Sequence, residues 1–304
     1  MEQNKRTEPS GILLVNKHAG ATSHDIVNKI RRLYNTKKVG HAGTLDPMAT
    51  GVLVVLVGRA AKACEYAHAE DKSYRAGLKL GVVSDTEDIW GSCENTNAEI
   101  PERDRVYSAV ASMVGKQMQI PPMYSALKHN GKKLYQLARA GVEVEREARE
   151  IEVYSAAAEQ ISEDEYTLDC SVSKGTYIRT LCTDIGKKLG CGAVMSSLVR
   201  TRVGSFDISD SHTTEELEAL DADERLSLLL PIETFFSHLP KITLDGFFYK
   251  LCYSGCEIYQ KKIGTSYNVG EYVRLYSKDG FFGVGIIKEY EEGSAVKCDK
   301  LFVL

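Results

Sequence analysis

The chain has 304 residues, too many for one ordinary hydrophobic core, and its 43% hydrophobic and 26% charged content excludes a disordered or fibrous chain. No apolar run approaches the roughly 20 residues that a spanning helix needs, and residues 1–10 lack the apolar centre of a secretory leader, so a cytoplasmic protein with no membrane partner is expected. The net charge of −4 argues weakly against a nucleic-acid partner, but the charge is unevenly placed. Residues 1–60 hold nine Lys and Arg against four Asp and Glu, and Lys128, His129, Lys132, Lys133 and Arg139 form a second basic cluster.

Taken in order, residues 11–15 read as a short apolar strand. Thr22 with Asp25 three residues on gives a capping-box signal for a helix whose apolar face is Ile26, Val27, Ile30 and Leu33. Residues 40–51 form a loop punctuated by Gly40, Gly43, Pro47 and Gly51, and it leads into the run 52–57, apolar on both faces and so a buried strand. Asp46 in that loop either presents a carboxylate at the mouth of the strand or merely makes a tight turn. A helix is expected over 60–69 and a strand over 73–80, where Tyr74 and Arg75 face opposite sides. A helix follows at 105–113, carrying Val106, Val110 and Met113. Residues 115–130 show little periodicity. A helix over 132–140 is closed by Gly141. Strands near 151–157 and 165–173, a helix over 176–189 ending at Gly190, and a strand over 198–206 complete a mixed pattern without βαβ rhythm. Two acidic helices, about 213–220 and 222–230, precede Pro231. Past Pro240 the texture changes to short aromatic-rich strands separated by glycines. The class is α+β, with domains over 1–240 and 241–304.

Several blocks carry a family resemblance. Gly40-His41-Ala42-Gly43-Thr44-Leu45-Asp46-Pro47 resembles the nucleophile loop of the TruB-type tRNA pseudouridine synthases. Lys17-His18-Ala19-Gly20-Ala21-Thr22-Ser23, Lys72-Ser73-Tyr74 and Asp85-Thr86-Glu87-Asp88-Ile89-Trp90-Gly91 are similar to further blocks of that family. So are Pro121-Pro122-Met123-Tyr124-Ser125-Ala126-Leu127-Lys128, Gly131-Lys132-Lys133-Leu134-Tyr135 and Lys174-Gly175-Thr176-Tyr177-Ile178-Arg179. The blocks keep the family's order from about residue 11 to residue 205. His18 stands where the family usually has proline. Val199 stands where a second arginine is usual, which puts one phosphate contact or ion pair in doubt.

The resemblance implies a mixed-sheet catalytic domain with an inserted RNA clamp at about 115–141, followed by a small β-rich PUA-like RNA-binding domain. It implies an isomerase that converts uridine 55 of the tRNA T-loop to pseudouridine by flipping the base, without guide RNA. Asp46 would be the catalytic carboxylate, Arg179 its partner in a guanidinium fork, and Tyr74 the ring that stacks on uracil and relays the C5 proton. Tyr177 and Leu198 would wall the pocket, and His41 would occupy space inside the RNA loop. Lys17 would support the active-site loop or contact phosphate, and Lys128, Lys132 and Lys133 would meet the backbone of the T-arm. Asp85 and Asp88 lack the pattern of a calcium loop and are expected to be structural. No Cys-x-x-Cys pair or zinc-ribbon spacing occurs among the eight cysteines, so no metal is expected. The implied isomerisation conserves all atoms and needs no cofactor, and the enzyme is expected to act as a monomer. Two other readings share these residues: a non-catalytic tRNA-binding or folding factor, and a guide-dependent RNA pseudouridine synthase.

Overall fold

A computed structural model describes residues 8–66 and 71–303. The strand Thr50–Val57 organises the main sheet. It runs antiparallel to Gly11–Lys17 on one side and parallel to Ala193–Val203 on the other, and the short strand Val39–Ala42 also pairs with it. Leu53, Val55 and Val57 pack with Ile26, Val27 and Ile30 of the helix Ser23–Leu33, while Val52, Val54 and Leu56 pack with Phe235 and Phe236. Burial on both faces explains the unbroken apolar run, each such side chain contributing roughly 1.5–3 kcal/mol. The helix opens as expected. Thr22 Oγ1 accepts from the Asp25 N–H at 3.1 Å, and Asp25 Oδ2 accepts from the Thr22 N–H at 2.9 Å.

Beyond Ala193–Val203 the sheet continues through Lys72–Leu80, Glu165–Val172, Arg149–Gln160 and, at its edge, Gly115–Gln119. Tyr74, Ala76, Leu78, Leu168 and Cys170 bury one face of this half against the helices Arg103–Ala111 and Ile178–Leu189. Arg75 points the other way and pairs in solvent with Asp169.

The edge strand Gly115–Gln119 corrects the reading of 115–130 as irregular. Its polar alternation is inverted for an edge, with Gln119 buried and Met118 62% exposed. The basic cluster is also differently built. Lys128–His129 and Lys132–Lys133 pair as a hairpin across Asn130 and Gly131, both at positive φ (48° and 81°), and the helix that follows is confined to Leu134–Arg139. Asn130-Gly131 is a strong short hairpin signal, and in the structure it sets this pairing. The segment expected as a helix at 60–69 is a 3-10 helix over Gly58–Tyr66, with 67–70 outside the described residues. The strand expected at 198–206 starts earlier and ends at Val203.

After Pro240 a second sheet forms, in the order Lys241–Thr243, Tyr272–Ser277, Gly280–Tyr290, Gly293–Leu301, Ile258–Tyr259. It also carries an unexpected helix, Gly246–Tyr253, capped by Asp245. Phe281 stacks on Phe236, Phe302 lies tilted against it, and Lys300 pairs with Glu65 at 2.6 Å, so this β-rich C-terminal domain is seated against the first.

Candidate active site

The loop 43–51 is held from below by side chains that occupy its carbonyls. Arg200 donates from Nη2 to Gly43 O at 3.1 Å and from Nη1 to Thr44 O at 3.3 Å. Ser23 Oγ donates to Leu45 O at 3.2 Å and accepts from the Leu45 N–H at 2.9 Å. Lys17 Nζ donates to Pro47 O at 3.0 Å, and the Gly20 N–H reaches the same oxygen at 2.9 Å. Asp46 O accepts from the Ala49 N–H at 3.1 Å, closing a turn. Gly51 sits at φ 101° against the neighbouring strand, where a Cβ would lie 2.2 Å from Arg200 O. Only glycine permits that approach. With the carbonyls of residues 43–47 taken, the Asp46 carboxylate is what this part of the loop presents, and its side chain stays 44% exposed.

Arg179 meets it. Its Nε lies 3.0 Å from Asp46 Oδ2, with the arginine side chain only 6% exposed. The expected fork is absent. Nη1 donates to Thr86 O at 3.1 Å and Nη2 to Tyr124 O at 2.8 Å, so a single N–H serves the carboxylate while the others lock the guanidinium plane. Asp88 Oδ2 stands 3.9 Å from the same Nε and makes a second carboxylate around this cation. Asp88 is structural as expected, its Oδ1 accepting from Thr86 Oγ1 at 2.6 Å and from the Trp90 N–H at 3.1 Å, and its other oxygen stands beside the site. Its loop is tied to the sheet through Glu87 and Ile89, which pair with Met195, and through Thr180 Oγ1, 2.5 Å from Glu87 Oε2. Glu87 takes a left-handed φ of 66°, and burial raises its carboxyl above the usual range.

Tyr74 is buried on the core side of Lys72–Leu80 and lies opposite Arg200 in register. Burial pushes its phenol above the ordinary value, opposed by the positive charge of the Arg200 guanidinium; Asp46 is close enough to add to the rise. Leu198 is buried in the same apolar cluster as Tyr74 and Leu45. Tyr177 caps the helix that carries Arg179, and its backbone N–H and C=O are both bonded by Gln119, at 2.8 and 3.1 Å. Asp46, Tyr74, Tyr177, Arg179 and Leu198 are thus brought to one place.

Lys17 is fully buried, donating also to His18 O at 3.0 Å and Ala21 O at 2.8 Å. Of the two roles expected for it, support of the loop holds and a phosphate contact does not. Burial pushes its ammonium down to about 8, while Asp46 pulls the other way. His41 is half-buried on Val39–Ala42 rather than on an exposed loop. Lys128, Lys132 and Lys133 are exposed on their separate hairpin, where Lys133 and Arg139 lie over the Tyr135 ring at 5.7 and 5.6 Å.

Arg200 is a further residue of the site that the motif blocks do not single out. Strand alternation carries the signal: Leu198 packs in the cluster of Tyr74, and residue 200 lies on the same face of the strand, opposite Tyr74.

Fold and site together define a pseudouridine synthase. The N-terminal domain model of the TruB family of pseudouridylate synthases matches residues 31–178, and the model of the tRNA pseudouridylate synthase B C-terminal domain matches residues 179–237. A protein of Alkaliphilus oremlandii named tRNA pseudouridine synthase B is 42% identical over 281 residues, covering 92% of this chain and 93% of its own length. One of the same name from Clostridium kluyveri is 40% identical over 294 residues, covering 96% and 99%. Among solved structures, the crystal structure of a Cbf5-Nop10-Gar1 complex superposes with a TM-score of 0.76 at 25% identity, covering 96% of this chain and 85% of that one. The chain belongs to the TruB family of pseudouridylate synthases and is an isomerase.

Proposed function

We propose that this enzyme converts uridine 55 in the T-loop of tRNA to pseudouridine, without guide RNA. The observation that carries the reading is the Asp46–Arg179 pair at 3.0 Å on a loop whose carbonyls at 43–47 are engaged within the fold. Relatives of matching length are named tRNA pseudouridine synthase B, which supports tRNA as the substrate.

In this reading the target nucleotide is flipped out of the T-loop at a cost of a few kcal/mol. Asp46 acts at the ribose–uracil junction as the N1–C1′ bond breaks. The uracil turns while stacked on Tyr74, between Tyr177 and Leu198. The C5–C1′ bond then forms, the C5 proton leaves by way of the Tyr74 hydroxyl, and N1 gains a proton. His41 fills space within the opened RNA loop. Lys128, Lys132 and Lys133 neutralise T-arm phosphates from a clamp within 115–141. The catalytic domain spans 1–240, and 241–304 is a PUA-like module that adds RNA contacts. The enzyme acts as a monomer in the cytoplasm.

The test is tritium release from C5-labelled tRNA transcript by purified protein with nothing else added. Release from the transcript and its loss when position 55 is cytidine support the reading. Release that persists with cytidine 55 rejects the site assignment. Release only after another RNA is supplied favours the guide-dependent alternative, and tight binding with no release favours the folding-factor alternative.

A further inference from the structure

Arg200 is 1% exposed, yet no carboxylate among the described residues lies within ion-pair distance of it. A buried guanidinium without a counter-ion carries a large desolvation cost, and scaffold packing alone would be served better by an apolar side chain of similar volume. What its donors do instead is specific. Nε reaches Val52 O at 2.9 Å, Nη1 reaches Thr44 O at 3.3 Å, and Nη2 reaches Gly43 O at 3.1 Å. These oxygens belong to the two stems of the loop that carries Asp46, one just before the carboxylate and one where the buried strand begins. Arg200 and Tyr74 are also cross-strand partners in register, so the guanidinium stands on the same face as the phenol and opposes its upward shift. One planar group therefore bonds both stems of the Asp46 loop and is the cross-strand neighbour of Tyr74.

We propose that Arg200 is a positioning residue for pseudouridine formation, clasping both stems of the Asp46 loop while fixing the Tyr74 hydroxyl against the flipped uracil. This rests on the site reading above, in which Asp46 and Tyr74 face the reacting base. Lysine cannot replace it, because an ammonium lacks the planar spread of donors that spans three carbonyls on two stems. The guanidinium is also out of reach of phosphate. Its loss should therefore appear in the chemical step and leave RNA binding intact.

The experiment uses the full chain with Arg200→Lys, Tyr74→Phe and the double variant, measured by single-turnover tritium release at saturating tRNA and by tRNA affinity. The expected result is a loss of about tenfold or more in the rate for Arg200→Lys, with affinity within about threefold of wild type. The double variant should be no slower than the slower single one, because both changes remove one shared arrangement. Rates that multiply, or a loss confined to affinity, would overturn the proposal. Should Arg200→Lys fail to fold by circular dichroism, Arg200→Gln is read in the same way. Failure of both to fold would leave Arg200 as scaffold and also overturn it. Asp46→Asn run alongside separates the two ideas: activity in that variant would reject the site reading itself, whereas an inactive Asp46→Asn beside a fully active Arg200→Lys would reject only the role of Arg200.

Discussion

The loop 43–51 and the basic segment 120–141 both lack regular structure along much of their length, yet they are held in opposite ways. The first is gripped by three buried polar side chains, Lys17, Ser23 and Arg200, which bond its carbonyls from inside the fold. The second keeps Lys128, Lys132, Lys133 and Arg139 exposed and is pinned chiefly by Pro121, Pro122, Ser125 and Leu134. A catalytic carboxylate gains from being fixed before substrate arrives, since no reorganisation then falls within the reaction. Phosphate contacts are long-ranged and numerous, so they tolerate a looser mount. One contact joins the two regions: Tyr124 O accepts from Arg179, placing the root of the basic segment against the guanidinium that orients Asp46.

The largest effect should come from the gripped side. Asp46→Ala is expected to reduce single-turnover pseudouridine formation by more than about a thousandfold while tRNA binding stays within a few-fold. Arg179→Lys should follow at roughly a hundredfold, because lysine retains the charge but cannot serve Asp46, Thr86 O and Tyr124 O together. Equal rates for Arg179→Lys and wild type would show that orientation of Asp46 is dispensable. Tyr74→Phe keeps the stacking face and loses the hydroxyl, so it should already be slow in chemistry with binding intact, and Tyr74→Leu slower still. Near-normal rates for both would remove Tyr74 from the pocket.

On the looser side, changing Lys128, Lys132 and Lys133 together to Gln should weaken tRNA binding and flatten its salt dependence. Each lost phosphate contact lowers the slope of log affinity against log salt by about 0.7–0.9, so the triple variant should lose about 2 to 3 in slope. Turnover at saturating tRNA should change far less. An unchanged slope would detach this hairpin from the RNA.

The smallest effect concerns Lys17. Its ammonium sits at about 8 in the folded protein through burial, below the roughly 10.4 of an exposed lysine. Between those values the unfolded chain binds more protons than the folded one, so stability rises with pH. Denaturant unfolding of wild type against Lys17→Met should show the advantage of the wild type growing from pH 8 to pH 10. A constant difference would mean that Lys17 keeps its ordinary proton affinity in the folded state.

The same contrast governs how much was legible beforehand. Asp46, Tyr74, Tyr177, Arg179 and Leu198 stood in motif blocks, and the structure gathers them. The strand Thr50–Val57 was legible because burial on both faces demands an unbroken apolar run. What escaped was set by pairing partners far away in the chain. Nothing local shows that Arg200 and Lys17 would close on the same loop from different strands, or that Asp88 would share Arg179 with Asp46. The strand Gly115–Gln119 escaped because an edge strand carrying a single buried polar residue has no apolar alternation to read.

Hydrogen exchange of the full chain, with and without tRNA, compares the two regions in one measurement. Amides of 43–51 should be protected in the free protein and change little on binding, while those of 120–141 should exchange fast when free and slow markedly with tRNA. Equal protection of 120–141 in both states, or a loop at 43–51 that becomes protected only with tRNA, would contradict the account.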